Sequence, residues 1–293
     1  MIEQTSSFGQ LDLELELKKR LDRYFSPVID TRLSAPQNLR ESISYSLLAP
    51  GKRIRPRLAI ESAKLHDLSK PSALAVGLAI EMIHCFSLIH DDLPCMDNDD
   101  FRRGKPSNHK KFGEALALLA GDALMPVAFE TFLEAAPEVS PLAFQKAMSR
   151  FMEAIGPRGV MGGQAEEMLL SENSKFEQLK KMHLQKTGVL FEASLLIPAE
   201  LSSWNPNSQQ GKALQFFATQ LGLGFQVADD FEDQDQDLES DAPRSILNFI
   251  SKSEAMEKTK SQLLKANEQM LSAFGESAAA LVGINQEIIK RLR

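Results

Sequence analysis

The chain has 293 residues, 43% hydrophobic and 25% charged, an ordinary composition for a globular protein with room for one large core or two small ones. A formal net charge of −7 argues against nucleic acid as the main partner. Two cysteines, Cys85 and Cys95, cannot make a disulfide framework, and nothing near them has zinc spacing.

Met1 to Gln10 is polar and lacks a basic-then-apolar signal pattern, so it reads as a flexible N-terminus. No unbroken apolar run reaches the roughly 18 residues of a membrane span. The expectation is a cytoplasmic protein without stable membrane insertion. Leu11 to Phe25 is amphipathic and stops before Pro27; it reads as helix, although Leu11 to Leu17 also alternates like a strand. Gln37 to Leu48 is a second helix, ended by Pro50-Gly51. The basic turn Gly51-Lys52-Arg53-Ile54-Arg55 follows, and Pro56 fits the first turn of a third helix to about His66. Pro71 opens a long apolar helix through Ala73 to Ile89. Phe112 to Ala135 is a further apolar helix with Pro126 inside, and Pro141 to Ile155 another. Gly156 to Gln164 holds four glycines and reads as a break or close-approach point. Lys175 to Leu196 is helical, with Lys186-Thr187-Gly188 interrupting it. Pro198 to Gln210 reads as a loop, Gly211 to Asp233 as a helix, Asp235 to Arg244 as a charged loop, and Ser251 to Arg293 as one or two amphipathic helices. No segment shows strand alternation between turns. The chain is expected to be one all-α domain, 1–293: a large helical bundle with an apolar cavity between two Asp-rich helices.

The long helix delivers Asp91, Asp92, Asp97, Asp99 and Asp100 within ten residues, followed at once by Arg102 and Arg103. Grouped carboxylates repel and lose hydration unless cations neutralise them, which hard divalent cations do well. A solvated acidic loop is the bland alternative. Against it stands a second acidic group, Asp229-Asp230-Phe231-Glu232-Asp233, also at the end of an apolar run. Asp229 and Asp233 are four apart and share a helical face. Pro94 makes a break that would bring Asp97 back toward Asp91. Asp233-Gln234-Asp235-Gln236-Asp237 alternates like a calcium loop, but Leu238 stands where that loop needs Gly.

Gly51, Lys52, Arg55 and His84 form a candidate second anion site, since a basic turn before a helix offers N–H groups and the positive end of a dipole; a solvated turn and a packed histidine are the alternatives. Arg102 and Arg103 are adjacent, so their side chains diverge and could serve two anions or the neighbouring aspartates. Thr187 can bond back to the preceding turn and Gly188 weakens the helix, so a carbonyl and a hydroxyl could face the interior, where they could stabilise a carbocation; a packing defect is the alternative.

With these residues assembled, the sequence resembles the short-chain trans-isoprenyl diphosphate synthases, the farnesyl and geranylgeranyl diphosphate synthase family. The resemblance runs from about Leu39 to Asp233. It rests on Gly51-Lys52-Arg53-Ile54-Arg55-Pro56, on Glu81 through Asp97, on Arg102-Arg103-Gly104-Lys105-Pro106, and on Leu119-Ala120-Gly121-Asp122-Ala123-Leu124. Gly162-Gly163-Gln164, Lys186-Thr187-Gly188 and Phe225-Gln226-Val227-Ala228-Asp229-Asp230 complete it. It implies an all-helical homodimer and magnesium-dependent head-to-tail condensation of isopentenyl diphosphate with an allylic diphosphate. Asp91, Asp92, Asp97, Asp229 and Asp233 would bind magnesium, three ions in all. Arg102, Lys186 and Gln226 would hold the allylic diphosphate, and Lys52, Arg55, His84 and Arg103 isopentenyl diphosphate, with Gly51 giving close backbone approach. Thr187 and the Lys186 carbonyl would face the cation. In this family the residue five before the first Asp floors the product pocket; here it is Phe86, with small Ser87 beside it, which resembles the bacterial farnesyl (C15) enzymes. Geranylgeranyl (C20) and geranyl (C10) products are the alternatives, and Phe86 as ordinary core the bland one.

Two departures stand out. The family's lysine-bearing loop after the second acidic motif is missing, and Arg244, the only basic residue between Lys212 and Lys252, is the expected substitute. Glu166-Glu167 follows Gly163-Gln164 where the family has a Leu-Asp pair, making Glu167 a lengthened equivalent. Two other readings fit Asp-rich helices: a terpene cyclase, disfavoured by the basic turn, His84 and the paired arginines, and a catalytically silent partner subunit, disfavoured by the intact aspartates.

Overall fold

The computed structural model describes residues 10–26, 35–202, 204–232 and 244–292. Thirteen helices are named here: α1 Gln10–Tyr24, α2 Gln37–Leu47, α3 Ile54–Leu65, α4 Lys70–Asp91, α5 Asn108–Phe112, α6 Glu114–Leu133, α7 Pro141–Ile155, α8 Val160–Met168, α9 Phe176–His183, α10 Val189–Leu201, α11 Gln209–Glu232, α12 Lys252–Phe274 and α13 Ala279–Arg291. By contact, Met1–Arg57 with Leu74–Pro137 make one compact unit, and Leu58–Ala73 with Glu138–Arg293 a second.

In the first unit the ambiguity of α1 resolves as helix. Leu13, Leu17 and Leu21 are 0–1% exposed at four-residue spacing, whereas Leu11 is 81% and Leu15 53% exposed. A strand would have buried Leu11, Leu13, Leu15 and Leu17 together. Arg20 fixes α1 by donating to Glu16 (2.6 Å) and Glu134 (3.0 Å). Asn108, buried at the start of α5, ties the chain back to α2 through Ser42 O (2.9 Å) and Ser46 Oγ (2.8 Å). The expectation of no strand is corrected at one point: β1 Phe101–Arg102 pairs antiparallel with β2 Lys105–Pro106. Two-residue strands are too short to show alternation. Their turn, Arg103-Gly104, has φ of 54° and 75°, the positive pair that tight hairpins favour.

In the second unit α11 runs against α10 and α12. Glycines allow the close approaches: a Cβ on Gly222 would lie 2.8 Å from Gly188 Cα, and one on Gly224 2.8 Å from a Leu263 methyl. Two boundaries differ from expectation. The Gly156 to Gln164 break is shorter, because α8 starts at Val160 and its glycines serve close contacts rather than a loop. The loop expected from Pro198 begins four residues later, since α10 carries Pro198 inside it and runs to Leu201. There the buried apolar face outweighs the lost hydrogen bond.

Two helical stretches, Lys70–Asp91 and Glu114–Glu138, are by length and composition long and apolar enough to cross a membrane, contrary to the expectation of none. The first is 83% buried within the protein, as a core helix is; the second is 44% buried.

Candidate active site

The first unit carries the basic turn, the first acidic stretch and the paired arginines. α4 ends at Asp91, and the chain turns back as Pro94 requires: Asp97 N donates to Asp91 O (2.8 Å) and Asn98 N to Leu93 O (3.1 Å). Asp91 is half-buried and Asp97 exposed. Asp92 is different. It is 2% exposed and accepts from Arg102 Nε (2.8 Å) and Nη2 (2.5 Å), while Nη2 also reaches Asp99 (2.7 Å). Burial pushes the Asp92 carboxyl above its ordinary range, with Arg102 acting against it.

Arg103 diverges from Arg102, as adjacency requires. Its guanidinium lies over Gly51, where a Cβ would sit 2.7 Å from Nη1, and it donates to Ala49 O (3.4 Å). Lys52 is exposed and Arg55 8% exposed. His84 and both arginines line one cavity with Asp92, Lys105 and Ser107. Burial, then Arg55, Arg103, Arg53 and Arg102, holds His84 well below its ordinary pKa, so its imidazole is neutral near pH 7.

Phe86 is 5% exposed and meets the His90 ring edge-to-face at 4.7 Å. His90 is fixed in turn: Nε2 is hydrogen-bonded to Leu118 O (3.1 Å), and Gly121 leaves room for the ring, since a Cβ there would be 2.2 Å from Nε2. Ser87 is half-buried and donates to His84 O (3.0 Å).

The second unit carries the rest. The helix distortion expected at Lys186-Thr187-Gly188 is present: Leu184–Gly188 forms a π-helical turn between α9 and α10, a geometry frequent at functional sites. Thr187 Oγ1 donates to Gln226 Oε1 (2.8 Å), Gln226 Nε2 to Asp230 Oδ1 (2.8 Å), and Ile246 N to Asp230 Oδ2 (2.7 Å). Asp230 is thus a buried orienting group, a role the sequence did not assign. Lys186 pairs with Glu167. Gly163 permits this turn, as a Cβ would come within 2.2 Å of Lys186 N. Arg244 is exposed, and its carbonyl accepts from His183 Nε2 (3.0 Å). Asp233, and with it the stretch 233–243, lies outside the described residues.

Asp229 meets Arg291 Nη2 at 2.5 Å, and Arg291 also donates to Glu232 (2.8 and 2.9 Å). Sequence reasoning missed Arg291, for a basic residue in the last turn of a terminal helix looks like ordinary dipole compensation. Arg53 and Glu81 were missed likewise, although a charge inside the apolar run from Ala73 to Ile89 was a visible signal.

Among the described residues no three His, Cys, Asp or Glu side chains converge into a finished metal site. The donor chemistry nonetheless suits a hard cation: Asp91 and Asp97 are carboxylates joined through the backbone, half-buried and exposed respectively, and Asp229 already holds a guanidinium. Magnesium keeps several waters and takes substrate phosphate oxygens, so one or two protein carboxylates suffice for it.

An all-helical fold bearing two acidic helix ends, a basic turn and a distorted Lys-Thr-Gly turn defines a prenyltransferase of the isoprenyl synthase type. The chain belongs to the polyprenyl synthetase family, whose sequence pattern matches residues 36–242. It is 45% identical over 205 residues to geranylgeranyl pyrophosphate synthase 7, chloroplastic, of Arabidopsis thaliana, covering 69% of this chain and 58% of that protein. It is 41% identical over 220 residues to the farnesyl diphosphate synthase of Geobacillus stearothermophilus, covering 74% and 73%. A geranyltransferase from Legionella pneumophila superposes with a TM-score of 0.84 at 31% identity, covering 96% of this chain and 94% of that one.

Proposed function

We propose that this protein is a magnesium-dependent farnesyl diphosphate synthase, condensing isopentenyl diphosphate head-to-tail with dimethylallyl and geranyl diphosphate. The observation that carries the reading is the cavity shared by His84, Arg102, Arg103 and Asp92 beside the Asp91–Asp97 turn. It offers a cationic site for one anion next to a carboxylate site for a metal-bound one. A terpene cyclase needs only the second.

Asp91, Asp92 and Asp97, with Asp229 and Asp233, would hold magnesium, which when bound neutralises the departing diphosphate. Arg102, Lys186 and Gln226 would hold the allylic diphosphate. Arg102 is now on Asp92 and Lys186 on Glu167, so both cations are held in place before substrate arrives. Lys52, Arg55 and Arg103 would take isopentenyl diphosphate through charge, and neutral His84 through a hydrogen bond. The allylic C–O bond breaks with its electron pair on the leaving diphosphate. The isopentenyl double bond attacks the allylic carbon, and the departed diphosphate takes the proton, so no protein base is required. Thr187 donates to Gln226, which leaves its own oxygen lone pairs free of that bond; these and the Lys186 carbonyl would face the cation. Holding both substrates in defined sites would supply orientation.

Phe86 supports a C15 product, as a buried ring more than a helical turn before Asp91, buttressed by His90. The plant geranylgeranyl relative supports C20 as the second reading. A second copy of the chain is the expected partner: α6 is predominantly apolar, yet Leu118, Leu119 and Leu133 are 45%, 53% and 52% exposed.

The test is a product assay with magnesium, labelled isopentenyl diphosphate and each allylic starter, with light scattering on the same sample. A C15 alcohol after phosphatase, from a dimer, supports the reading. C20 keeps the enzyme class and removes Phe86 from its role. No condensation from a folded dimer returns the silent-subunit reading.

A further inference from the structure

Arg53 lies at the centre of the basic turn yet points away from solvent. Its side chain is 1% exposed and that of its partner Glu81 is 3%. Arg53 Nη1 donates to Glu81 Oε1 at 2.6 Å, and Nη2 donates to Leu47 O (2.8 Å) and Ala49 O (2.6 Å). Those two carbonyls lie at the C-terminal end of α2, where backbone acceptors lack helical partners and a cation is favoured. The cost of this arrangement is visible in the backbone: Arg53 has φ 47°, uncommon for a residue with a side chain. Its Nε has no hydrogen-bond partner among the described residues.

The consequence for the neighbours is geometric. With Arg53 turned inward and its backbone left-handed, Lys52 on one side is exposed. Ala49 O, held by Arg53, also accepts from Arg103 (3.4 Å), whose guanidinium lies over Gly51. Glu81 sits one turn before His84 on α4. One buried ion pair therefore connects the end of α2, the basic turn, the arginine hairpin and the helix bearing His84.

We propose that Arg53 and Glu81 are positioning residues for isopentenyl diphosphate: the pair forms part of the wall of that cavity, its members are bonded to each other and Arg53 to two backbone carbonyls, and it sets where Lys52, Arg103 and His84 stand. The inference rests on the assignment of this cavity to that substrate. Lysine cannot replace Arg53, because a single ammonium cannot reach a carboxylate and two carbonyls in a planar fork.

The variants are Arg53→Lys, which keeps a cation opposite Glu81, and Glu81→Gln, which keeps an acceptor where Oε1 stands but leaves the buried guanidinium without its carboxylate. Thermal midpoints are measured first, then steady-state kinetics, then calorimetric binding of inorganic pyrophosphate without magnesium. The expected result for Arg53→Lys is a KM for isopentenyl diphosphate raised about tenfold or more. The KM for the allylic substrate stays within experimental error, and pyrophosphate binding weakens. Glu81→Gln moves the same constants by less. Equal losses in kcat with both KM values unchanged, tracking a lowered thermal midpoint, would show a purely structural pair and overturn the inference. So would pyrophosphate binding identical to wild type. If wild-type protein condenses no substrate, the proposed function fails, while pyrophosphate binding in the two variants still decides the role of Arg53.

Discussion

Arg291 Nη2 donates to Asp229 Oδ1 at 2.5 Å, so a side chain in the last turn of α13 occupies the carboxylate expected to bind metal. The same guanidinium stacks over Phe225 at 4.7 Å and reaches Glu232. A metal approaching Asp229 therefore competes with an ion pair whose side chains are 15% and 33% exposed. Pairs this open are worth about 1 kcal/mol, or roughly fivefold in an equilibrium constant. Arg291→Met should thus tighten manganese binding to the substrate-free protein by a few-fold, read by electron paramagnetic resonance. Unchanged affinity would remove Arg291 from the competition.

Phe86→Ala should lengthen the product toward C20 and cost about 3–5 kcal/mol of stability, the usual range for a buried Phe reduced to Ala. Gly121→Ala tests the buttress separately. Its Cβ would fall 2.2 Å from the His90 ring, which is in edge contact with Phe86. A changed ratio of C15 to C20 in Gly121→Ala, with Phe86 itself intact, is the expected outcome. Gas chromatography of the dephosphorylated alcohols decides it; an unchanged ratio would mean that Phe86 does not depend on His90.

What the sequence made legible follows from physics that acts locally. Pro56, Pro71 and Pro141 each lie in the first turn of a helix, where a missing N–H costs nothing. The Lys186-Thr187-Gly188 distortion was legible because Thr and Gly both weaken a helix from within. Pro198 misled for the converse reason: α10 is so thoroughly buried that packing overrides the breaker. Two local expectations are met, Asp97 folded back on Asp91 and the two arginines parted, whereas Gly51, Lys52 and Arg55 do not line the cavity that His84 does and Asp233 lies outside the described residues. The groups that orient them were not legible. Asp230, Arg291 and Arg53 have partners 16 to 62 residues away, or on the ends of other helices, and single-sequence spacing carries no record of those meetings; Glu167 stands out only through the family resemblance, without its partner Lys186.

Gly163→Ala should damage the site without touching any charged group. The added Cβ would stand 2.2 Å from Lys186 N and 2.6 Å from its Cα, both backbone atoms that cannot rotate away. Overpacking of this kind costs about 1–3 kcal/mol. The π-helical turn should shift, taking Lys186 and Thr187 with it, so kcat is expected to fall more than the thermal midpoint alone explains. Kinetics at a temperature where both proteins are fully folded separates the two effects. A variant that loses stability but keeps kcat would show that the turn's position is not critical.

The pH dependence of stability should report His84. Its folded pKa lies well below the ordinary 6.5, through burial and four nearby arginines. Below about pH 6.5 the unfolded chain therefore binds a proton that the folded state refuses, so stability present above that pH is lost as the pH falls. A single group can contribute no more than about 1.4 kcal/mol per pH unit. His66 and His183 are also lowered by burial, so they add to the same acid loss. His84→Gln removes one share of it. The drop in thermal midpoint between pH 7.5 and pH 5.5 should be smaller in the variant than in wild type. If the two drops are equal, His84 takes up a proton as readily folded as unfolded, and it would then meet a diphosphate as a cation only below about pH 6.5.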